Sequence, residues 1–437
     1  MWRLWFVIFL LLNMHAALVT ICPAQIPERI PVDQEKCLAH GIRKIAGKHI
    51  DLYTDMPVSD DVEEMTEIFD LAVPQWCDYF QVDQAKAADW KINGFLMVDQ
   101  QKFADAGLVP ERLPQFLNGY QQGYQFWLFE QPSSFFRRHL FLHEGTHAFM
   151  NLLLGGSGPA WYTEGMAELL GCHQWKDGSL KIGYLIRSRD ESPYWGRVKA
   201  IQDAVAAETM PDLRQVLKLK NRAFLNTEPY AWVWAACSFF DGHPDYQEKF
   251  RLLKSNVADR SDGFTDQFLQ DLNADWDRLQ EQWQLYLTEM DYGLDVAHVV
   301  VKYQDVHAIP EKGELLKINA NQSWQSSGLR VAAGQKLLIR SQGRYVVGQT
   351  DQPWECEPQG ITIHYYRGMP LGALTMAVRD ESQPLDQLTP LAKPLSVGRS
   401  LEQKFETDGT IFFRINESPV DLGDNQGILD IHVMPVK

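Results

Sequence analysis

Cysteine is scarce in this chain. There are six in 437 residues, at positions 22, 37, 77, 172, 237 and 356, and no two form a C-x-x-C pair. That excludes the usual thiolate metal sites and a disulfide framework. An isolated Cys37–Cys77 bridge competes with five buried free thiols. Basic charge is also in deficit, with 41 Lys and Arg against 57 Asp and Glu and a net charge of −16. Nucleic acid and anionic membrane surfaces are therefore poor partners. There is no internal repeat and no low-complexity tract. Beyond the N-terminus no apolar run is long enough to cross a bilayer, so no membrane span is expected in the mature chain.

The first residues read MWRLWFVIFLLLNMHAALVTICPAQ. One early Arg, an apolar run from Leu4 to Leu12 and then small residues describe a signal peptide, residues 1–24, cut after Ala24. The run is short for a membrane anchor, which needs about 20 residues. Ile21 is too large for a lipid-attachment box before Cys22. The mature chain is expected to be secreted or periplasmic. Its composition, 45% hydrophobic and 22% charged, is that of a globular protein with room for two or three domains.

Local patterns predict an α+β chain. In 25–131, short strands (HIDLYTD, WKINGFLMVD, YQFWLFE) alternate with a helix over 60–80, giving a small mixed sheet. Residues 132–308 read as helical, with Gly and Pro at the joints and a strong amphipathic helix over 275–290. Residues 315–437 carry short alternating runs such as KLLIRS, ITIHYY and TIFFRI, which predict a β-sandwich.

The chemistry concentrates in HLFLHEGTHAFMNLLLGGSGPAWYTEGMAELL, residues 139–170. His143 and His147 are four apart, so they project from one helix face a turn apart and can share one ion. Glu144 lies beside that pair, where a base would take a proton from an activated water. The five-residue pattern arises by chance in about two such chains in a hundred, so a structural zinc or a surface His pair are alternatives. A third ligand would change that. Glu164, beyond the Gly155-Gly156 turn, is the candidate. Glu168, one turn on, suits either accepting a ligand imidazole N–H or a solvated face.

His-Glu-x-x-His followed by Trp161-Tyr162-Thr163-Glu164-Gly165-Met166-Ala167-Glu168 resembles the gluzincins, the zinc peptidases of thermolysin and aminopeptidase type, and within them exported bacterial members. The resemblance covers about 45–290 and is sharpest at 137–171, though the His147–Glu164 spacing is slightly short. It implies that His143, His147 and Glu164 hold zinc, that Glu144 is the catalytic base, and that the substrate is a peptide or protein. It also implies a Tyr on the oxyanion, for which Tyr230 is the candidate and Tyr162 the second. The strand at 124–130 would be the sheet edge that a peptide joins. No amine-anchoring motif is evident, which favours an endopeptidase. His139 reads as a packed or surface residue.

Residues 320–435 resemble the calcium-dependent galactose-binding lectin sandwich. That likeness implies calcium at Glu417, Asp421, Asp424 and Asn425, and a glycan partner. Glu417 stands where a shorter Asp is usual, with Pro419 nearby, so a plain polar turn and a docking module remain alternatives. The leading expectation is an exported zinc metallopeptidase with a lectin-like accessory domain. The second is a non-catalytic, zinc-containing glycan binder, and the third a metal-dependent hydrolase of another bond.

Overall fold

The structure is a computed structural model and describes residues 28–349, 351–382, 385 and 387–436. The expected signal peptide, residues 1–24, and Cys22 within it lie outside the described residues. Five strands form the first sheet: β1 (Arg43–Ala46), β2 (Ile50–Thr54), β3 (Ile92–Met97), β4 (Gly119–Gln122) and β5 (Gln125–Phe129). Their order is β1-β2-β3-β5-β4, parallel across β2-β3-β5 and antiparallel at both margins. β2 and β3 are buried at every position because both faces are covered. Leu52, Leu96, Phe126 and Leu128 face the main helical core, while Tyr53, Phe95, Met97 and Trp127 face a smaller cluster around Phe103.

One expectation is corrected here. The segment 124–130 is not the sheet edge, since β5 lies between β3 and β4. The edge is β4, whose polar sequence GYQQ lacks an apolar alternation, and Gly123 (φ 59°) turns the chain into β5. The Cys37–Cys77 bridge is also absent: Cys37, Cys77, Cys172, Cys237 and Cys356 are all buried and free.

The helical part is built around three helices. The histidine helix, Ser134–Phe149, is capped by Ser133, whose side chain accepts from the Phe136 amide. It continues as a π-helical turn, Met150–Leu154, and stops at Gly155, whose φ of 81° favours a residue without a side chain. The glutamate helix, Ala160–Gly171, folds back on it, and the tyrosine helix, Glu228–Gly242, packs on the glutamate helix. Phe141 and Phe149 lock the histidine helix to Phe69, Trp76, Phe80 and Trp90 by edge and stacked ring contacts.

The C-terminal part is two sheets closed over one core. Leu395–Ser396, Leu374–Arg379, Gly409–Ile415, Gln325–Val331 and His307–Ala308 form one; Ser400–Lys404, Lys336–Gln342, Ile428–Pro435 and Glu314–Asn319 form the other. The first sheet already contains His307–Ala308, earlier than the expected start at 315. Gly409–Ile415 is buried throughout rather than on alternate residues. Phe413 enters the sandwich core, and Phe412 packs outward in a cluster with Leu285 of the helix Trp276–Thr288. Two buried carboxylates fasten that junction. Glu281 accepts from Arg379 (3.1 Å), Thr389 (2.6 Å) and Tyr303 (3.0 Å); Glu289 accepts from Arg414 (3.0 Å) and Tyr366 (2.6 Å).

Candidate metal centre

The helix period brings His139, His143 and His147 to one face, and the chain reversal at Gly155 lays Glu164 and Glu168 across it. His143 Nε2 and His147 Nε2 are 3.1 Å apart, and Glu164 Oε2 lies 3.3 Å and 3.5 Å from them. Donors at about 2.05 Å from a tetrahedral ion stand about 3.3 Å from one another. The three side chains therefore fit one zinc-sized ion. Among the described residues two His/Cys/Asp/Glu groups have this convergence: His143, His147 and Glu164, and His139, His143 and Glu168.

The second group has another occupant. Arg197 donates Nε to Glu168 Oε2 at 2.9 Å and Nη2 to Oε1 at 3.1 Å, spending both oxygens on a guanidinium. Glu168 Oε1 also lies 3.4 Å from His143 Nδ1, an ion-pair distance without a hydrogen bond, on the side of the ring away from Glu164. Glu168 is thus a buried partner and not a solvated face. His139 is buried with neither ring nitrogen hydrogen-bonded, between the Phe136 ring and Trp195.

The charge balance favours a cation. Burial raises Glu164, but the two imidazoles outweigh it and hold the carboxyl down at about 2. Burial lowers His143, but Glu164 and Glu168 raise it to about 10. Glu168 is held well below the usual range by Arg197 and His139 despite its burial. Glu144, Glu164 and Glu168 make three carboxylates, Glu164 of them half-buried, against the Arg197 guanidinium and a protonated His143, and a divalent cation in place of that proton would balance the remainder.

Glu144 is 4% exposed, and its burial raises its pKa, against the pull of both histidines. The edge strand β4 passes directly over it. A Cβ on Gly119 would stand 2.3 Å from Glu144 Oε1, so this close approach demands glycine. Tyr230 is in the first turn of the tyrosine helix, its ring 6.1 Å from the His143 ring, with the Arg197 guanidinium 5.5 Å above it. Burial and the facing carboxylates push its hydroxyl well above the ordinary value, so it remains a donor. In this geometry it points to the Phe224 carbonyl at 3.5 Å. Tyr162 is in the core against Phe250 and Phe264, away from the cleft. His173 is stacked on Phe135 and bonded to the Gly171 carbonyl. All of the site residues except Tyr162 and His173 open onto one cleft of about 1540 Å³.

Sequence reading missed two contributors: Gly119 and Arg197. No motif marks them, because each acts through a tertiary approach between distant segments.

The acidic loop of the sandwich brings Glu417 and Asn425 together, with Asp421 and Asp424 close by. Glu417, Asp421 and Asp424 are not among the groups that converge on one point. Glu417 is 3% exposed and accepts from Asn425 Nδ2 at 2.6 Å, and Asp424 accepts from the Gln349 amide at 3.0 Å.

No family model matches the chain, and no curated protein matches it. Among solved structures, one described as the EclA N-terminal domain, a PllA-like lectin, is 17% identical; all of it aligns with 29% of this chain, at a TM-score of 0.23. The Aeromonas hydrophila protein PliG, a periplasmic inhibitor of g-type lysozyme, is 9% identical; 98% of it aligns with 30% of this chain, at a TM-score of 0.17. Neither likeness bears on what the chain does, so function has to be read from the His–Glu group.

Proposed function

We propose that the chain is an exported zinc metallopeptidase that hydrolyses peptide bonds, with His143, His147 and Glu164 as ligands and Glu144 as general base. The observation that carries this reading is the convergence of three donor atoms, 3.1–3.5 Å apart, on the floor of an open cleft with a second carboxylate, Glu144, beside them. A structural zinc would be enclosed by four protein ligands; three ligands and an open side suit catalysis.

Bound there, zinc supplies a Lewis acid that acidifies water and polarises a carbonyl. Glu144 takes the proton of the attacking water on its carboxylate, and its upward-shifted pKa suits a base that must later act as an acid. The same carboxyl then passes that proton to the departing amine. Tyr230, its ring 6.1 Å from the His143 ring, would turn its hydroxyl from the Phe224 carbonyl to donate to the oxyanion. Glu168, gripped by Arg197, holds the His143 ring in its ligating orientation.

For the sandwich the proposal is a fixed accessory module, with glycan recognition tested by binding to immobilised galactose polymers with and without calcium. The test of the main reading is zinc per chain and peptide hydrolysis in residues 25–437, beside His147→Ala, Glu164→Ala and Glu144→Gln. The expected result is about one zinc per chain, lost in the first two variants, kept in the third, with turnover lost in all three. Zinc that survives both ligand substitutions, or turnover that survives Glu144→Gln, would sink it.

A further inference from the structure

A second cavity, of about 770 Å³, opens where the helical part meets the sandwich, and the histidine helix contributes nothing to its walls. Its size is within the range of small-ligand sites, about 300–1,000 Å³. Segments from both parts enclose it. The short helix Leu213–Val216 supplies Arg214, and the turn Asn273–Asp275 with the start of the helix Trp276–Thr288 supplies Asp275, Asp277 and Arg278. The connecting stretch 303–306 supplies Tyr303 and Asp305, and the strand Leu374–Arg379 ends in the cavity.

Two of its guanidiniums are held flat on aromatic rings. Arg214 Cζ lies 3.9 Å from the centre of the Trp276 ring, and Arg278 Cζ lies 4.6 Å from that of Tyr303. Both rings are themselves anchored. Trp276 packs against the main core, and the Tyr303 hydroxyl donates to Glu281, which is 2% exposed, at 3.0 Å. A guanidinium fixed in this way keeps its N–H edges available and loses little freedom when an anion arrives. Arg379 is different, because it is spent on Glu281.

The charges on the cavity wall are unspent. Among the described residues, neither Arg214 nor Arg278 donates a side-chain hydrogen bond or forms an ion pair, and the side chains of Asp275, Asp277 and Asp305 accept none. Charges of both signs therefore line one cavity without meeting. A polyanion fits badly, since three aspartates repel it. A neutral sugar leaves the guanidiniums without an anion, and an acidic sugar brings no cation for the aspartates. A ligand that satisfies both sets carries a carboxylate and an ammonium group some distance apart.

We propose that this junction cavity binds a short peptide with free termini, its carboxylate on Arg214 and Arg278 and its ammonium group among Asp275, Asp277 and Asp305. The site goes beyond the peptidase reading and stands without it, because none of these residues borders the His–Glu cleft.

The test is calorimetric titration of the zinc-loaded mature chain carrying Glu144→Gln, so that no probe is consumed. The probes are trialanine, N-acetyl-trialanine, trialanine amide and glucuronate. We expect trialanine to bind, and capping either end to weaken it about 10- to 100-fold, the worth of a hydrogen-bonded charge. Arg214→Gln/Arg278→Gln should bring trialanine down to the affinity of its amide and leave the amide unchanged. Asp275→Asn, Asp277→Asn and Asp305→Asn together should do the same with the acetylated probe. A general loosening of the fold would weaken every probe alike, so this pattern separates contact from stability. Failure of trialanine to bind, indifference to either cap, an affinity that survives both sets of substitutions, or tighter binding of glucuronate than of trialanine would each overturn the proposal.

Discussion

Gly119 on the edge strand approaches Glu144 so closely that a methyl group on its Cα would stand 2.3 Å from Oε1 and 2.9 Å from Cδ. The base is thus held between the histidine helix beneath and a strand backbone above. Gly119→Ala must displace one of them. We expect zinc binding to be kept, because the three atoms that a Cβ would meet first all belong to Glu144, and hydrolysis to fall about 100-fold from a misplacement on the order of 1 Å. Metal content measured beside kcat checks this; a variant with unchanged kcat would show that Glu144 does not act from where it lies.

Arg197 and Glu168 form a buried bidentate pair that also lies against His143. Arg197→Met leaves a carboxylate buried without its cation, at a cost of about 3–5 kcal/mol. Zinc affinity should weaken about 10- to 100-fold, as when a ligand's hydrogen-bond partner is removed. Chemical denaturation and zinc titration read the two effects separately. Arg197→Met/Glu168→Gln should recover much of the stability and little of the affinity.

Glu417 offers a pH prediction independent of the metal site. Burial, with Asp421 and Asp424 nearby, raises its carboxyl from 4.5 to about 7. The folded chain therefore keeps a proton that the unfolded chain has released, so stability falls as pH rises from about 4.5 to about 7 and is level above. Glu417→Gln should be nearly neutral at pH 4 and stabilise by about 2–3 kcal/mol at pH 8. Melting curves across that range test it. A gain in wild-type stability on adding calcium at pH 8, abolished by the substitution, would support the calcium reading.

Glu289 sits at 2% side-chain exposure between Arg414 and Arg367. Arg414→Met should cost about 3 kcal/mol by leaving that charge underpaired, while single-domain unfolding behaviour is retained. Tryptophan fluorescence and circular dichroism should still melt together; separate transitions would show the two parts to be independent.

The residues that speak through short-range spacing were legible in the sequence. His143, Glu144 and His147 lie within two helical turns, and Ser133 and Gly155 bound that helix as local capping rules predict. Glu164 needed the turn between two helices, which Gly155-Gly156 announced. The edge strand was not legible, because GYQQ derives its place from pairing with β5 rather than from any apolar pattern. Arg197 and Tyr194 lie in a stretch where two left-handed residues, Tyr194 and Gly196, set the direction of the chain, and nothing in ESPYWGR declares that a tyrosine takes such a conformation. In the sandwich, strict alternation failed for Gly409–Ile415 because a helix from the other half covers its outer face.

The helix Trp276–Thr288 therefore belongs to two neighbourhoods at once. Trp283 and Tyr286 enter the core of the helical part, while Leu285 and Glu281 are enclosed by the sandwich. A chain cut near residue 309, where composition suggests a seam, would keep that helix but strip one side of it bare, with an ionised glutamate and a leucine newly wetted. The seam visible in the letters is a change of style rather than a line of cleavage.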